Sequence, residues 1–338
     1  MANIGLKICS RCILPETFPG IKFDEAGACN HCRQEESIVA EAPDRKQKYC
    51  QKLDELIARM KGKAFNYDVV MAYSGGKDSS YALKLLKERY NLRIIAFTFD
   101  NHFVSPVASE NVKAVTDNLQ IDLIRFRPPW PLMRSLFAIT AQRDVFPAAT
   151  LLRASSICTG CITIIKSLTL RTALEMSIPL AAYGWSPGQA PIQAAVMKTN
   201  PNQIQQNQNS LKKTFPEEIA LDLTRYLIPD RYYESYRERF PYNIHPLAFF
   251  DYDEGKIILE LQKLGWKLPK DTDSNSTNCL LNAFANQCHI QRHGFHPYVL
   301  EIASMVRHGV MTRQEGIDKI YGEQDPKMVA YARERLGL

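Results

Sequence analysis

The sequence lacks long hydrophobic runs, and nowhere do 18 apolar residues follow one another, which excludes a conventional transmembrane helix. Residues 1–8 contain no apolar leader, so we expect a cytoplasmic protein without membrane association. A charge surplus is nearly absent too: 42 basic against 36 acidic side chains give +6, too little to indicate a nucleic-acid-binding protein. With 45% hydrophobic and 23% charged residues, the composition excludes disordered and fibrous proteins.

Cysteine is abundant by comparison, with nine residues, most of them in C-x-x-C pairs. The first two pairs, Cys9/Cys12 and Cys29/Cys32, are separated by sixteen residues, a spacing typical of a Cys₄ zinc ribbon. Four thiolates close the coordination shell and leave no open position, so the predicted role of this zinc is structural.

Strand and helix patterns alternate through the middle of the chain. We predict strands at 67–73, 92–99, 121–126 and 180–183, with helices between them at 79–90, 109–119 and 162–176. This alternation is typical of an α/β fold with a doubly wound parallel sheet. A ligand of such a sheet binds at the carboxyl ends of its strands.

The chain divides into four predicted parts. They are a zinc ribbon at 1–40, a linker helix at 41–66, the α/β domain at 67–198, and a mainly helical C-terminal substrate or cluster region at 199–338. The Asn/Gln-rich segment 199–210 is interpreted as a mobile loop. Thr312 is expected to cap the final helix.

The segment 74–79, with the sequence SGGKDS, joins the first strand to a helix. Its two glycines permit positive φ and a close approach of the backbone, so several N–H groups can converge on an anion. The helix dipole, the lysine and the two serines favour the same ligand. It is not a Walker A loop, because the G-x-x-x-x-G-K-[ST] spacing is missing. A glycine turn without a ligand is the alternative, but the position after a buried strand favours an anion site.

This segment resembles the PP-loop of the ATP pyrophosphatases (adenine-nucleotide α-hydrolases), and the resemblance extends over 67–184. It implies that ATP binds with Mg²⁺ and that Lys77 and Asp78 take part in catalysis. The implied pyrophosphate ligands are Ser74, Gly75, Gly76, Lys77, Asp78 and Ser79. The implied adenine-pocket residues are Phe97 and Thr98, and Asp100 and Gly184 would complete the nucleotide site.

A third C-x-x-C pair, Cys158 and Cys161, lies at the start of an apolar helix, where we expect the helix dipole to lower the thiol pKa values. Together with Cys279, from a polar loop, it predicts an iron–sulfur cluster with one open iron. Two alternatives stay open: a persulfide or redox pair, and a second zinc site. The zinc site would combine Cys158 and Cys161 with Cys279 and Cys288, or with Cys288, His289 and His293. Cys50 and Cys288 are otherwise unassigned.

The three cysteines are similar to the pattern of PP-loop thiolation enzymes that use a [4Fe–4S] cluster, such as tRNA thiolases. The two ends of the chain, 9–32 and 292–317, resemble instead the N-acetyl sugar amidotransferases, which are also built on a PP-loop. Both resemblances imply that ATP adenylates a carbonyl-type oxygen and that pyrophosphate is released. They differ in the nucleophile, sulfide or ammonia, and the additional cysteines favour sulfur transfer.

Substrate and partners follow from the nucleophile. Sulfur transfer implies a nucleobase, nucleotide or tRNA acceptor and a sulfur donor. Amidotransfer implies an N-acetyl amino sugar and a partner glutaminase, because no glutaminase domain is evident in the sequence. A homodimer is a further expectation. A non-catalytic nucleotide-binding scaffold is the remaining alternative, and it would release no pyrophosphate.

Overall fold

The structure is a computed structural model that describes residues 5–36, 42–189, 192–248, 250–273 and 275–338. Within these residues, six strands form one sheet in the order β3-β2-β1-β4-β6-β5. The strands are β1 Val69–Ala72, β2 Ile94–Phe99, β3 Asp122–Phe126, β4 Leu180–Tyr183, β5 Val196–Lys198 and β6 Tyr242–Ile244. All neighbouring strands are parallel except β5, which runs antiparallel to β6.

Helices fill the connections between the strands and make up most of the C-terminal region. They are α1 Asn30–Gln34, α2 Ala42–Met60, α3 Lys77–Glu88, α4 Pro106–Leu119, α5 Trp130–Gln142, α6 Ala148–Leu151, α7 Ser156–Glu175, α8 Pro201–Thr214, α9 Glu217–Thr224, α10 Tyr232–Ser235, α11 Glu254–Gln262, α12 Asn282–His293, α13 Val299–Arg307, α14 Arg313–Tyr321 and α15 Pro326–Leu336. Short 3₁₀ helices span Ile192–Ala195, Arg237–Arg239 and Pro246–Ala248.

Helices cover the central strands on both faces, which explains why these strands are continuous apolar runs. Val70 of β1 faces α5 and α7, where it joins Met133 and Leu168 in one core. Met71 faces the opposite side and joins Leu83 of α3 in the other core. The predicted fold class, a doubly wound α/β fold with a mostly parallel sheet, is confirmed.

One helix among the described residues, α7, is long and apolar enough to cross a membrane by length and composition alone. It packs against α5 and β1, and Ile164 and Leu168 on it are buried in the core. Its apolar character is therefore accounted for by its place in the core.

The prediction of a mobile loop at 199–210 is wrong, because residues 201–210 form the first ten residues of α8. Asn200 caps the helix by accepting a hydrogen bond from the Gln203 N–H, and Pro201 occupies its first turn. Gln208 is buried and bonded on both sides, donating to Ser167 Oγ (2.9 Å) and accepting from the Tyr233 hydroxyl (2.7 Å). Composition indicated a loop, whereas capping and tertiary contacts specify a helix.

The sheet continues past residue 198, since β6 lies within the predicted C-terminal region and pairs with β4. Thr312 does cap a helix, forming a capping box with Glu315 at the start of α14. That helix is not the final one, because α15 follows it. The division of the chain into four parts stays a prediction.

The N-terminal cysteine segment packs against the C-terminal helices and forms a third hydrophobic core with them. Arg313 of α14 donates to the carbonyl oxygens of Cys9 and Cys12, both at 2.9 Å. The Tyr321 hydroxyl donates to the carbonyl of Ile13 (2.6 Å). The N-terminal cysteine segment therefore forms one packed unit with α13 and α14.

Candidate functional site

The carboxyl ends of β1, β2 and β4 meet at one edge of the sheet because the three strands are parallel and adjacent. The chain connects β1 to β2 on one side, while β4 enters on the other side of β1. This reversal of strand order is the position at which doubly wound sheets bind their ligands. Residues 74–79 follow β1 at this edge, and Gly184 follows β4.

The loop at 74–79 has the strand–turn–helix geometry predicted for it. Gly75 has φ of +76°, and a Cβ at this position would lie 2.3 Å from the Ala108 carbonyl oxygen, so only glycine fits. Behind the loop, the Trp266 indole N–H donates to the Gly75 carbonyl (2.9 Å). The hydroxyls of Ser74 and Ser79 lie 3.0 Å apart across the turn. The loop is thus rigidly held at the start of α3, where helix N–H groups favour an anion.

Lys77 is buried and its ammonium lies among acidic and aromatic groups. Its Nζ lies 3.2 Å from Glu254 and 3.7 Å from Asp78, and 5.2 Å from the ring centre of Tyr252. The Tyr252 hydroxyl donates to Asp78 (2.6 Å). The Glu254 carboxylate also lies 3.4 Å from Lys319 Nζ. The two carboxylates therefore neutralise the positive charge of Lys77, which a bound phosphate group would neutralise in their place.

A cavity of about 570 Å³ opens beside this group, lined in part by Tyr252, Glu254 and Lys319. Its size lies in the range of small-molecule sites. Glu254 connects this cavity to the predicted pyrophosphate loop, because it lines the cavity and also contacts Lys77.

The structure brings Cys158, Cys161 and Cys279 together around two asparagine amides. Asn101 Nδ2 lies 3.6 Å from the sulfurs of both Cys161 and Cys279. Asn282 Nδ2 lies 4.0 Å from the sulfur of Cys158. Asn101 thus lies between Cys161 and Cys279, and Asn282 lies beside Cys158; a shared ligand for the three cysteines stays a prediction.

Backbone contacts fix Cys279 beside the segment that follows β2. It forms a bridge with Val104, and the next residue, Leu280, donates its N–H to the Phe103 carbonyl (2.8 Å). Two residues before Cys279, the Thr277 hydroxyl accepts a hydrogen bond from the backbone N–H of Lys77 (2.8 Å). One short loop therefore joins the cysteine site to the predicted pyrophosphate loop.

The expectation that the helix N-terminus lowers the thiol pKa values is wrong for this chain. Burial raises the pKa of Cys158 to about 12, against the smaller effect of its hydrogen bond with Ser155. Burial likewise raises the pKa values of Cys161 and Cys279. The loss of solvation outweighs the helix dipole here.

The four N-terminal cysteines, Cys9, Cys12, Cys29 and Cys32, form a compact and buried group, as predicted. Their sulfurs all lie within 4.8 Å of one another, with Cys9 to Cys32 at 3.8 Å and Cys12 to Cys29 at 3.7 Å. A metal–sulfur bond of about 2.3 Å in a tetrahedron places neighbouring sulfurs about 3.8 Å apart. The group is therefore the right size for one tetrahedral metal ion, which such sites take as zinc or iron.

Replacing Cys29 with serine is expected to release this metal and to lower the free energy of unfolding by about 3 kcal/mol or more, because a structural metal contributes its binding free energy to folding. Metal analysis and denaturant unfolding measure both effects. Cys50→Ser is the matched control, since Cys50 lies on α2, outside the four-cysteine group. A Cys29→Ser variant with full metal content and wild-type stability would contradict a structural metal site.

The alternative second zinc sites are not brought together. Within the described ranges, the N-terminal group is the one set of three or more cysteine, histidine or acidic residues whose ligand atoms lie within 4.8 Å of one another. Cys158, Cys161 and Cys279 are thus more widely spaced than the ligands of a single ion, as are Cys288, His289 and His293. An iron–sulfur cluster at Cys158, Cys161 and Cys279 stays a prediction.

The predicted adenine-pocket residues lie on β2 and are packed. Phe97 stacks on Phe126 with ring centres 6.3 Å apart. The Thr98 hydroxyl donates to the Tyr73 carbonyl (2.9 Å). Asp100, at the end of β2, accepts from the His102 N–H (2.9 Å) and lies 3.5 Å from Arg127. Their roles in nucleotide binding stay predictions.

Several polar residues at the site were not found from the sequence. Asn101, Thr277 and Asn282 are close in sequence to the predicted Asp100 and Cys279, and that proximity was a usable signal. Tyr252, Glu254 and Glu301 carry no local signal, because they reach the site only through the packing of the C-terminal helices.

The carboxyl of Glu301 is in a strongly perturbing environment. Burial raises the pKa of its carboxyl to about 7, and it accepts a hydrogen bond from the Ser186 hydroxyl. A carboxyl that titrates near neutral pH is suited to proton transfer.

Glu301 also predicts a pH dependence of stability. Because its pKa is higher in the folded than in the unfolded chain, the folded state holds the extra proton between pH 4.5 and about 7. Stability is therefore lost as the pH rises through this window, by up to about 3 kcal/mol. Denaturant unfolding should show this loss for the wild type and not for Glu301→Gln. The exposed Glu323→Gln is the control; a variant Glu301→Gln that retains the wild-type pH dependence would disprove the assignment.

Comparisons with known proteins add the following similarities. No family model matches the chain. An uncharacterized protein of Methanocaldococcus jannaschii is 23% identical over 331 residues, which cover 98% of this chain and 99% of that protein.

Among solved structures, the chain is similar to the U34-tRNA thiolase NcsA from Methanococcus maripaludis with its [4Fe–4S] cluster, at 16% identity over 98% of both chains and a TM-score of 0.36. It is also similar to the NH₃-dependent NAD synthetase from Campylobacter jejuni in complex with nitrate, at 14% identity over 69% of this chain and 99% of that chain, with a TM-score of 0.31.

Proposed function

We propose that the protein is an ATP-dependent sulfurtransferase, which adenylates a carbonyl-type oxygen of a nucleobase, nucleotide or tRNA and replaces that oxygen with sulfur. One observation carries the proposal. The loop that supplies Cys279 also accepts the backbone hydrogen bond of Lys77 through Thr277, so a sulfur site and a phosphate-binding loop share one structural element.

The nucleotide half of the reaction is assigned to residues 74–79 with Gly184, which would hold the β- and γ-phosphates of ATP and its Mg²⁺. The acceptor oxygen attacks the α-phosphorus, the α–β phosphoanhydride bond breaks, and pyrophosphate leaves. Lys77 would exchange its contacts with Asp78 and Glu254 for the phosphate oxygens, which stabilises the charge that develops on them.

The sulfur half is assigned to Cys158, Cys161 and Cys279. These residues would hold a [4Fe–4S] cluster, whose fourth iron, without a protein ligand, supplies a binding position for sulfide. Asn101 and Asn282 place amide N–H groups toward the ligand sulfurs and orient them. The sulfur nucleophile then adds to the activated carbon, and AMP leaves with the original oxygen. In the N-terminal group, zinc is the proposed ion.

Amidotransfer to an N-acetyl amino sugar is the second candidate. The C-terminal helices that carry its sequence resemblance contribute Glu301 to the site. In that reaction ammonia, supplied by a partner glutaminase, would take the place of sulfide after the same adenylation step.

The two functions are separated by supplying the anaerobically purified protein with ATP, Mg²⁺ and either sulfide or ammonia. A nucleotide, unmodified tRNA and a UDP-N-acetyl amino sugar serve as acceptors, and pyrophosphate and product mass are measured. We expect pyrophosphate release with a thiolated nucleotide or tRNA. An aminated sugar would establish the amidotransferase instead, and no pyrophosphate with any acceptor would contradict both.

A further inference from the structure

One face of α7 is open although the helix lies in the core. Cys158, Ile162 and Lys166 are spaced four residues apart and therefore share this face. Ile162 is 37% exposed, while the residues on the opposite face, such as Ile164 and Leu168, are buried. This is therefore the less covered side of α7, and the cysteine site lies at one end of it.

Lys166 lies at the other end of this face, within an aromatic group at the carboxyl edge of the sheet. Its Nζ is 4.2 Å from the ring centre of Trp185 and 5.9 Å from that of Tyr183. His245 stacks on Trp185 at 4.2 Å with an angle of 17° between the planes. Tyr183 ends β4 and His245 directly follows β6, so this group belongs to the same edge as the loop at 74–79.

No carboxylate partners Lys166 in the described part of the chain, and its ammonium makes no hydrogen bond there. Burial alone lowers the pKa of this ammonium to about 8. The neighbouring His245 is 5% exposed, its Nδ1 has no hydrogen-bond partner among the described residues, and burial lowers its pKa to about 3, so it is neutral. Burying part of a cation away from water raises the free energy of the folded protein unless a negative charge lies nearby. A bound ligand could supply that negative charge.

We propose that Lys166 binds an anionic oxygen, of a phosphate or a carboxylate, carried by the acceptor substrate. The acceptor would then lie along the open face of α7, with its reacting carbon toward the cysteine site. The identity of this ligand as the acceptor rests on the proposed function. The phosphates of ATP have a separate cation in Lys77, which leaves Lys166 for the second substrate.

The distance between Cys158 and Lys166 restricts which molecules can be the acceptor. Eight residues of helix separate Cys158 from Lys166, a rise of about 12 Å. An acceptor that reaches both ends must carry its negative charge at a distance from the reacting carbonyl. Nucleotides, sugar nucleotides and acidic sugars meet this requirement, whereas a free nucleobase or an uncharged amino sugar does not.

The test measures how fast Lys166 of the wild-type protein reacts with acetic anhydride, by peptide mass spectrometry at pH 8. The protein is saturated with a non-hydrolysable ATP analogue, and inorganic phosphate or formate is added as the anion probe. An anion that raises the Lys166 pKa by one unit lowers the reactive neutral fraction from about a half to about a tenth. We therefore expect acetylation to slow about fivefold.

Lys198 is the internal control. Burial lowers its pKa too, and its Nζ lies over the Tyr242 ring at 4.7 Å, but it donates to the Glu238 carbonyl (3.3 Å) and so has a partner. Its acetylation rate should not change.

Each other outcome overturns the proposal. If the acetylation rate of Lys166 is unchanged at saturating phosphate and formate, Lys166 does not bind an anion. Equal slowing of Lys198 would mean a general ionic effect. Protection by the ATP analogue alone, with no further effect of phosphate or formate, would assign Lys166 to the nucleotide. Because acetylation requires no turnover, its result is independent of whether sulfur transfer itself is observed.

Discussion

Cys279→Ser should lose its iron, and its sulfur-transfer rate should fall more than about 100-fold, because the variant removes one of the three proposed cluster ligands. Pyrophosphate release should stay within about threefold of the wild type, since Lys77 bonds to Thr277 and not to Cys279. Iron analysis, product mass and a pyrophosphate assay on the same preparation measure the three quantities.

Cys288→Ser is the matched control for this variant. Cys288 is also half-buried, but it lies in the middle of α12, outside the contacts made by Asn101 and Asn282. We expect it to retain iron and both activities. If Cys279→Ser instead lost pyrophosphate release as completely as sulfur transfer, the cysteine would be holding the loop in place and would not carry sulfur.

Gly184→Ala is expected to abolish pyrophosphate release and to lower the free energy of unfolding by about 1–3 kcal/mol. A Cβ at this position would lie 2.3 Å from the Ser79 Cα and 2.7 Å from its nitrogen. Both are backbone atoms in the first turn of α3, so relief of the clash must move the loop at 74–79 away from β4. Steady-state kinetics and denaturant unfolding measure the two effects.

Gly255→Ala provides the comparison for the glycine variant. Its Cβ would meet the flexible Asp253 carboxylate at 3.5 Å, an ordinary contact. Alanine also favours the helix by up to about 1 kcal/mol, so this variant should be active and at least as stable as the wild type. Wild-type activity in Gly184→Ala would show that the contact between β4 and the loop is not required.

The central fold could be predicted from the sequence because its signals are local. Leu180–Tyr183 is a short apolar run flanked by helix and glycine, and the structure gives β4 the same bounds. β5 and β6 span only three residues each, too few for a periodic pattern. They are strands because β6 pairs with the free edge of β4 and β5 pairs with β6. This pairing depends on tertiary structure and leaves no local pattern in the sequence.

The candidate site divides in the same way. Cysteine spacing predicted the N-terminal thiol group, because metal ligands must be present as recognisable residue types. Lys166 and Glu301 are single charged residues within helices, where a solvated position is the usual expectation. What distinguishes them is burial: it comes from the packing of α7 against the sheet and of α13 against the loop around Ser186, which no short sequence pattern specifies.

The metal content and visible spectrum of anaerobically purified protein test the proposed sulfur site without any need for turnover. We expect a brown protein with about four irons and one zinc per chain, and loss of the iron alone in Cys279→Ser. A colourless protein that contains zinc and no iron would contradict a sulfur site at Cys158, Cys161 and Cys279.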